Sequence, residues 1–183
     1  MASGARLVMI DRDGVINEDS VDFVKSVAEW RPIAGSLEAI ADLHRAGWTV
    51  AVVTNQSGVG RGLYTEAALR EIHDHMRERV HAAGGELAGI YYCPHLPDAG
   101  CECRKPQPGM FRALERELGV SVAGAPYIGD RVSDVEAAEA VGARPMLVRT
   151  GTGAATEALL GARRVPVFED LAAAARSLLA ETR

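Results

Sequence analysis

The sequence predicts an α/β fold in which a mainly parallel, Rossmann-like sheet is flanked by helices. Short apolar runs rich in branched residues alternate with amphipathic segments, a pattern typical of βαβ units. The run 48–53 lacks the apolar–polar alternation of a half-exposed strand, which favours a strand covered on both faces. No internal repeat or long linker divides the 183 residues, so we expect one domain over residues 1–183.

Each expected element has a local signal at its ends. Helices are expected to begin at residues that can cap or start them. Glycines that follow the last residue of an apolar periodic pattern indicate where helices end. The expected helix starts are Ser36, Thr65, Met110, Ser133 and Asp170. The expected strands are 7–10, 48–53, 89–92, 126–128, 145–148 and 164–167. Residues 93–109 contain all three cysteines and four prolines, so this segment is expected to be an irregular loop.

Charge and hydropathy exclude several classes of protein. The net charge of −5 and the pI of about 5.6 argue against general nucleic-acid binding, which requires a basic surface. No apolar run approaches the ~20 residues that span a membrane, and residues 1–4 lack the layout of a signal peptide. We therefore expect a cytoplasmic protein. No heptad pattern demands a partner, so a monomer is expected.

Polar residues follow four successive strands. Asp11-Arg12-Asp13-Gly14 follows the first, and Thr54-Asn55-Gln56-Ser57-Gly58 ends the second. The loop after the third strand ends in Arg104-Lys105-Pro106, and the fourth strand is followed by Gly129-Asp130 with Asp134 further on. Carboxyl ends of parallel strands meet at one edge of a sheet, where such folds bind ligands. Clustered carboxylates repel one another unless a cation lies among them, and hard oxygen ligands favour Mg²⁺.

Each of these residues has an ordinary interpretation when it is taken alone. An aspartate after a strand is usually a turn former or a helix cap, and an isolated lysine is usually solvated. Asp134 could be an acid that interacts with the helix dipole. The functional interpretation depends on their order, because polar chemistry at four successive strand ends fits a single phosphoryl site.

These motifs resemble those of the haloacid dehalogenase superfamily of phosphotransferases. The resemblance spans residues 7–134 and extends to Pro108-Gly109-Met110 and to Val148-Arg149-Thr150-Gly151. Within the superfamily the chain most resembles phosphatases that remove the 7-phosphate from a heptose 1,7-bisphosphate. Phosphatases of histidinol phosphate are similar through the cysteine loop and are the nearest alternative. The resemblance implies a Mg²⁺-dependent phosphomonoesterase that acts on a small sugar phosphate. It also implies a sheet without a large separate cap domain, which agrees with the short intervals between the motifs.

The resemblance also implies a role for each site residue. Asp11 is expected to be the nucleophile, ionised without the help of a base, and Asp13 the general acid and base. Mg²⁺ is expected on Asp11, on Asp130 and on the main-chain carbonyl of Asp13, with Asp134 in support. Thr54 and Lys105 are expected to neutralise the oxygens of the transferred phosphate.

Substrate contacts are expected from three stretches next to these residues. The expected contact residues are Asn55, Gln56, Ser57, Arg104 and Lys105, with Asp19, Ser20 and Asp22 on the loop after the first motif. The helical histidines His44, His73, His75 and His81 are expected at the surface.

The set Cys93-Pro94-His95…Cys101-Glu102-Cys103 offers three sulfurs and one nitrogen, which is typical of a structural Zn²⁺ site. The alternative is a group of reduced thiols with an incidental histidine. The loop 93–103 has few apolar residues to order it by packing, so we expect zinc to order it and to hold Arg104 and Lys105 at the site.

Three other classes of protein compete with this interpretation. A response-regulator receiver also carries clustered aspartates and a lysine followed by proline, but Asp13 would hydrolyse its phospho-aspartate rapidly and a zinc loop has no place in that fold. A zinc-dependent nucleic-acid module conflicts with the acidic pI. A catalytically silent sugar-phosphate binder would not need every expected catalytic residue, all of which are present.

Overall fold

The protein is built on one parallel six-stranded sheet, as a computed structural model that describes residues 6–181 shows. The strands are β1 (Arg6–Ile10), β2 (Trp48–Asn55), β3 (Gly89–Cys93), β4 (Pro126–Gly129), β5 (Arg144–Val148) and β6 (Val167–Phe168). Their order across the sheet is β3-β2-β1-β4-β5-β6, and every neighbouring pair is parallel. The predicted α/β fold with a parallel sheet is therefore confirmed.

The described part of the chain has six helices beside the sheet: α1 (Ser36–Arg45), α2 (Glu66–Ala82), α3 (Gly109–Leu118), α4 (Val132–Ala140), α5 (Gly153–Leu159) and α6 (Leu171–Ala180). A 3-10 turn covers Val27–Glu29. Within residues 6–181 no inserted domain interrupts the alternation of strands and helices. None of the helices in this range is both long and apolar enough to span a membrane.

Alternate residues of the strands point to opposite faces and supply apolar cores on both sides of the sheet. Val8 and Ile10 of β1 pack in the core that contains the apolar sides of α1, α2 and α6. Leu7 and Met9 belong to the opposite core, which is covered by α3 and α4. Because both faces of the sheet are covered, the central strands are apolar throughout.

The chain reverses its direction across the sheet at β1, and this reversal places the site. From β1 it proceeds to β2 and β3 on one side and then returns to β4 on the other side of β1. The Asp11 N–H donates to the Ile128 carbonyl (2.9 Å) and continues the β1–β4 ladder up to the first motif. Crevices at such reversal points are where open α/β sheets bind ligands.

Several expected element boundaries are wrong, each for a local reason. Ser36 does not cap α1, because it is buried and its hydroxyl donates to the Ile16 carbonyl (2.7 Å) of the loop after β1. Gly35, with φ of +79°, precedes the helix instead. Helix α4 begins before Ser133, and its third residue, Asp134, accepts from the main-chain N–H of Arg131 (3.0 Å). The last strand is shorter and later than expected, and α5 was not predicted because it lacks a capping side chain.

Thr65→Ala is expected to destabilise the protein by about 1 kcal/mol. The Thr65 side-chain oxygen accepts from the Ala68 N–H (3.1 Å) and satisfies a donor that the first turn of α2 leaves free. Urea unfolding at equilibrium measures the difference. Thr65→Ser keeps the acceptor and should remain close to the wild type, so equal stabilities of the Ala and Ser variants would contradict the cap.

Candidate active site

The side chains that follow β1, β2 and β4 meet at the carboxyl edge of the sheet, where a buried lysine joins them. The Lys105 ammonium lies 3.1 Å from Asp11 Oδ1 and 2.7 Å from Asp134 Oδ1. It also donates to the Val53 carbonyl (3.0 Å) and to the Tyr127 hydroxyl (2.7 Å). Burial opposes a charge here, but the two carboxylates raise the pKa of Lys105 above its usual value, so the ammonium persists.

Asn55 holds the main chain of Lys105 in place. Its side-chain oxygen accepts from the Lys105 N–H (3.0 Å), and its side-chain amide donates to the Lys105 carbonyl (3.2 Å). This pair of bonds joins the end of β2 to the end of the cysteine loop. The side chain of Asn55, which was expected to bind substrate, is thus engaged in positioning Lys105.

Asp130 is enclosed by glycine backbone and by the segment after β5. Its Oδ2 accepts from the N–H (2.8 Å) and hydroxyl (3.0 Å) of Thr152. A Cβ on Gly14 or on Gly151 would lie closer than 3.0 Å to this oxygen, a separation that real Cβ atoms do not adopt. Both glycines also have positive φ. Only glycine therefore permits the backbone to approach Asp130 so closely.

The carboxylates of Asp11, Asp130 and Asp134 suit a divalent cation. One oxygen of each lies within 4.8 Å of the others, and the Oδ1 of Asp130 is buried without a hydrogen-bond partner. Burial and the neighbouring acids raise the pKa of Asp11 to about 8 and that of Asp130 to about 6. Burial therefore opposes the ionised form of Asp11 that the sequence led us to expect. Arg131 Nε lies 3.9 Å from Asp130 Oδ1, beyond hydrogen-bond distance, and a hard cation beside this oxygen would favour the ionised form of both carboxylates.

Asp13 points away from this acidic cluster and is held by three side chains. Arg12 donates to Oδ1 through Nε (3.0 Å) and to both oxygens through Nη2 (2.9 and 3.0 Å). Asn17 donates to Oδ1 (2.9 Å) and Gln56 donates to Oδ2 (2.8 Å). Burial alone would raise the pKa of Asp13, but the Arg12 charge and these hydrogen bonds hold it below its usual value. Gln56, expected to bind substrate, thus positions Asp13.

A cavity of about 540 Å³ opens in front of Asp11. Among the residues predicted for catalysis or substrate contact, it is lined by Asp11, Asp13, Thr54, Asn55, Gln56, Ser57, Arg104, Lys105, Asp19 and Ser20. Asp22 does not line it, because its backbone participates in a turn with Ser20 and Lys25 instead. Asp19 forms an ion pair with Arg131 (2.6 Å) across the cavity mouth.

The three cysteines and His95 come together beside the cavity. The distances from Cys93 Sγ to Cys101 Sγ and Cys103 Sγ are 3.6 and 3.1 Å, and His95 Nδ1 lies 3.5 Å from Cys93 Sγ. A tetrahedral zinc site with sulfurs at about 2.3 Å places them about 3.8 Å apart, so the group is compatible with Zn²⁺. The same loop is fixed to the turn after β2, because the N–H of Gly60 donates to the Pro94 carbonyl (2.9 Å).

Some residues that shape the site were not predicted from the sequence. Thr152 follows β5, so reading the fifth strand end as carefully as the first four would have found it. Tyr127 lies inside a buried strand and carries no sequence signal for its contact with Lys105. His73 was expected at the surface, but it is only 5% exposed and lies against Arg12.

Comparison with known proteins identifies the family. The HAD-hydrolase-like family model matches residues 102–174. D-glycero-beta-D-manno-heptose-1,7-bisphosphate 7-phosphatase of Pseudomonas aeruginosa is 51% identical over 173 residues, which cover 94% of this chain and 97% of that protein.

Solved structures agree with this assignment. D,D-heptose 1,7-bisphosphate phosphatase from B. bronchiseptica, complexed with magnesium and phosphate, has a TM-score of 0.92 at 50% identity, covering 96% of this chain and 99% of its own. The D,D-heptose 1,7-bisphosphate phosphatase from Burkholderia thailandensis has a TM-score of 0.75 at 37% identity, covering 95% and 98%. This chain therefore belongs to the haloacid dehalogenase superfamily of hydrolases and is a phosphatase of the group that these relatives represent.

Proposed function

We propose that this protein removes the 7-phosphate of D-glycero-β-D-manno-heptose 1,7-bisphosphate, in the biosynthesis of a nucleotide-activated heptose. One observation carries the chemistry: the Asp11 carboxylate, directly after β1, lies 3.1 Å from the Lys105 ammonium and within 4.8 Å of a carboxylate oxygen of Asp130, whose Oδ1 is buried without a hydrogen bond. The names of the relatives supply the substrate and its anomer.

In the first step Asp11 attacks phosphorus, a bond forms between its carboxylate oxygen and phosphorus, and the bond from phosphorus to the sugar oxygen breaks. Asp13 must carry a proton at this stage, and it gives that proton to the departing sugar oxygen. In the second step water attacks phosphorus, Asp13 takes a proton from that water, and the Asp11–phosphorus bond breaks to release phosphate. The hydrogen bonds to Asp13 favour its ionised form, which the second step requires.

Lys105 and Thr54 are placed to neutralise the oxygens of the transferred phosphate. Lys105 lies against the nucleophile, and Thr54 is buried at the end of β2 and lines the same cavity. Mg²⁺ bound by Asp11, Asp130 and the Asp13 carbonyl would screen the repulsion between the anionic nucleophile and the anionic phosphate. The bound magnesium and phosphate of the B. bronchiseptica enzyme support this assignment.

We assign the sugar and the second phosphate to the outer part of the cavity. Arg104 supplies a cation beside Lys105, and Ser57, Asp19 and Ser20 offer polar groups there. The 540 Å³ volume suits a small bisphosphorylated sugar.

The cysteine loop is proposed to bind a structural Zn²⁺ through Cys93, His95, Cys101 and Cys103. Zinc would fix the loop that ends at Arg104 and Lys105 and so position both cations. Thiol ligands require reducing conditions, which supports a cytoplasmic location. The cavity is formed by one chain, so we propose that residues 1–183 act as a single-domain monomer.

Wild-type protein with Mg²⁺ is expected to favour the β anomer of the heptose bisphosphate over histidinol phosphate by at least about 10²-fold in kcat/KM, equivalent to about 2.7 kcal/mol in transition-state binding. Recognition of the second phosphate by Arg104 is the physical reason. Phosphate release assayed with both anomers and with histidinol phosphate measures it. A preference of the same size for histidinol phosphate would replace the substrate assignment and leave the phosphatase chemistry intact.

Asp11→Asn is expected to lower kcat by at least about 10³-fold, because a neutral amide is a poor nucleophile towards phosphorus. Steady-state assays at saturating Mg²⁺ measure the loss, and acid-quenched mass spectrometry of the wild type should detect phosphate on Asp11 during turnover. Asp22→Asn changes an acid on the adjacent loop that does not line the cavity and should leave kcat within two-fold. Full turnover by the Asp11→Asn variant would disprove the phospho-aspartate.

Purified protein is expected to contain about one zinc per chain, and Cys103→Ser should lose most of it with a lower melting temperature. The variant should also show a higher KM, because the loop no longer holds Arg104. Metal analysis, thermal unfolding and kinetics provide independent measurements. Asp98→Asn, an exposed change in the same loop, is the matched control. Wild-type protein without zinc but with unchanged melting temperature, KM and kcat would refute the assignment.

A further inference from the structure

The Arg12 side chain is a fully buried cation that donates hydrogen bonds to Asp13 from only one edge of its guanidinium group. Its Nε and Nη2 form the fork that donates to Asp13, whereas Nη1 points the other way, into the protein. A guanidinium has five N–H donors in one rigid plane. A contact with Nη1 therefore affects how Nε and Nη2, on the opposite edge of the same plane, are oriented towards Asp13.

His73 of α2 contacts Arg12 at Nη1. Its Nε2 lies 3.3 Å from Arg12 Nη1, and its ring packs against the ring of Tyr92 with 5.6 Å between centroids. The side chain is 5% exposed. Because Arg12 can only donate, Nε2 must accept, which requires the neutral ring with its proton on Nδ1. Burial and the Arg12 charge lower the pKa of His73 to about 3, in agreement with a neutral acceptor.

We propose that His73 is a positioning residue that acts through Arg12 to orient the Asp13 carboxylate for proton transfer. The inference rests on the proposed function, because it assumes that Asp13 transfers protons during phosphate-ester hydrolysis. It adds a residue about sixty positions away from the first motif and on a different element, with no contact to the cavity.

The physical argument concerns a buried donor. Without an acceptor at position 73, Nη1 of a fully buried cation loses a hydrogen bond that water does not replace. The guanidinium then gains by tilting towards another acceptor, and Asp13 is bonded to the same plane. Asn17 and Gln56 still hold Asp13 in the cavity. Substrate binding should therefore survive, while the geometry of proton transfer should deteriorate.

The test compares His73→Met with His73→Gln, two side chains of similar length that differ in acceptor strength, because the Gln carbonyl accepts strongly and the Met thioether only weakly. We expect the Met variant to lower kcat by about 10- to 100-fold, the range typical of groups that orient a functional residue, with KM within two-fold of the wild type. The Gln variant should recover kcat to within about three-fold. The solvent deuterium isotope effect on kcat should increase in the Met variant, because proton transfer becomes limiting, and should return to the wild-type value in the Gln variant.

His75→Leu is the matched control, because His75 lies on the same helix and packs against Trp30 without reaching Arg12. It should leave kcat within two-fold. If the Met variant does not fold, the pair His73→Leu and His73→Asn repeats the comparison with shorter side chains.

Equal kcat values and equal isotope effects for the acceptor and apolar members of a folded pair would overturn the role of His73. That result would leave the proposed function intact as long as the wild type hydrolyses the heptose bisphosphate. A wild type without phosphatase activity would reject the proposed function and this inference together.

Discussion

The site depends on one buried ammonium. Lys105 lies between Asp11 and Asp134, and its contacts with both carboxylates make it possible to bury two acids at the edge of the sheet. Asp134 in turn accepts from the main-chain N–H groups of Asp130 and Arg131 and so fixes the start of α4. Lys105, Asp11 and the main chain of Asp130 are thus joined through one network, so that a change at any of them reaches the others.

The parallel sheet delivers these groups from distant parts of the chain, and the backbone must then allow them to touch. Gly14 follows β1, Gly151 follows β5, and both approach Asp130 to distances that any Cβ would prevent. Asn55 fastens the end of β2 to the main chain of Lys105. The site therefore needs both the right side chains and a backbone without Cβ atoms at the points of close approach. The motifs meet both needs because glycines stand near the acids.

Motif order and strand placement were sufficient to predict from the sequence which residues meet at the sheet edge. Their partners were harder to predict. Gln56 and Asn55 were expected to bind substrate, and both line the cavity. Their hydrogen bonds to Asp13 and to the main chain of Lys105 depend on side-chain direction, which the sequence does not give. The helical pattern around His73 allows either a surface or a core position for this residue. Its buried position becomes apparent only from its contact with the buried Arg12 side chain. Spacing along the chain carries no information about such contacts.

The charges around the nucleophile explain why metal and substrate should bind together. Asp11, Asp130 and Asp134 contribute three carboxylates, and Lys105 supplies the one buried ammonium that contacts them within residues 6–181. Such a cluster repels a phosphate dianion, and burial strengthens the repulsion. Burial and the neighbouring acids also raise the pKa of Asp11, which opposes the ionised form that the proposed nucleophile needs. A divalent cation beside Asp130 would weaken both effects, because its charge attracts the phosphate and favours the carboxylate form of Asp11. The acidic cluster therefore links the proposed reaction to the cation, since the same ion would lower the barrier to substrate approach and stabilise the charged form of Asp11.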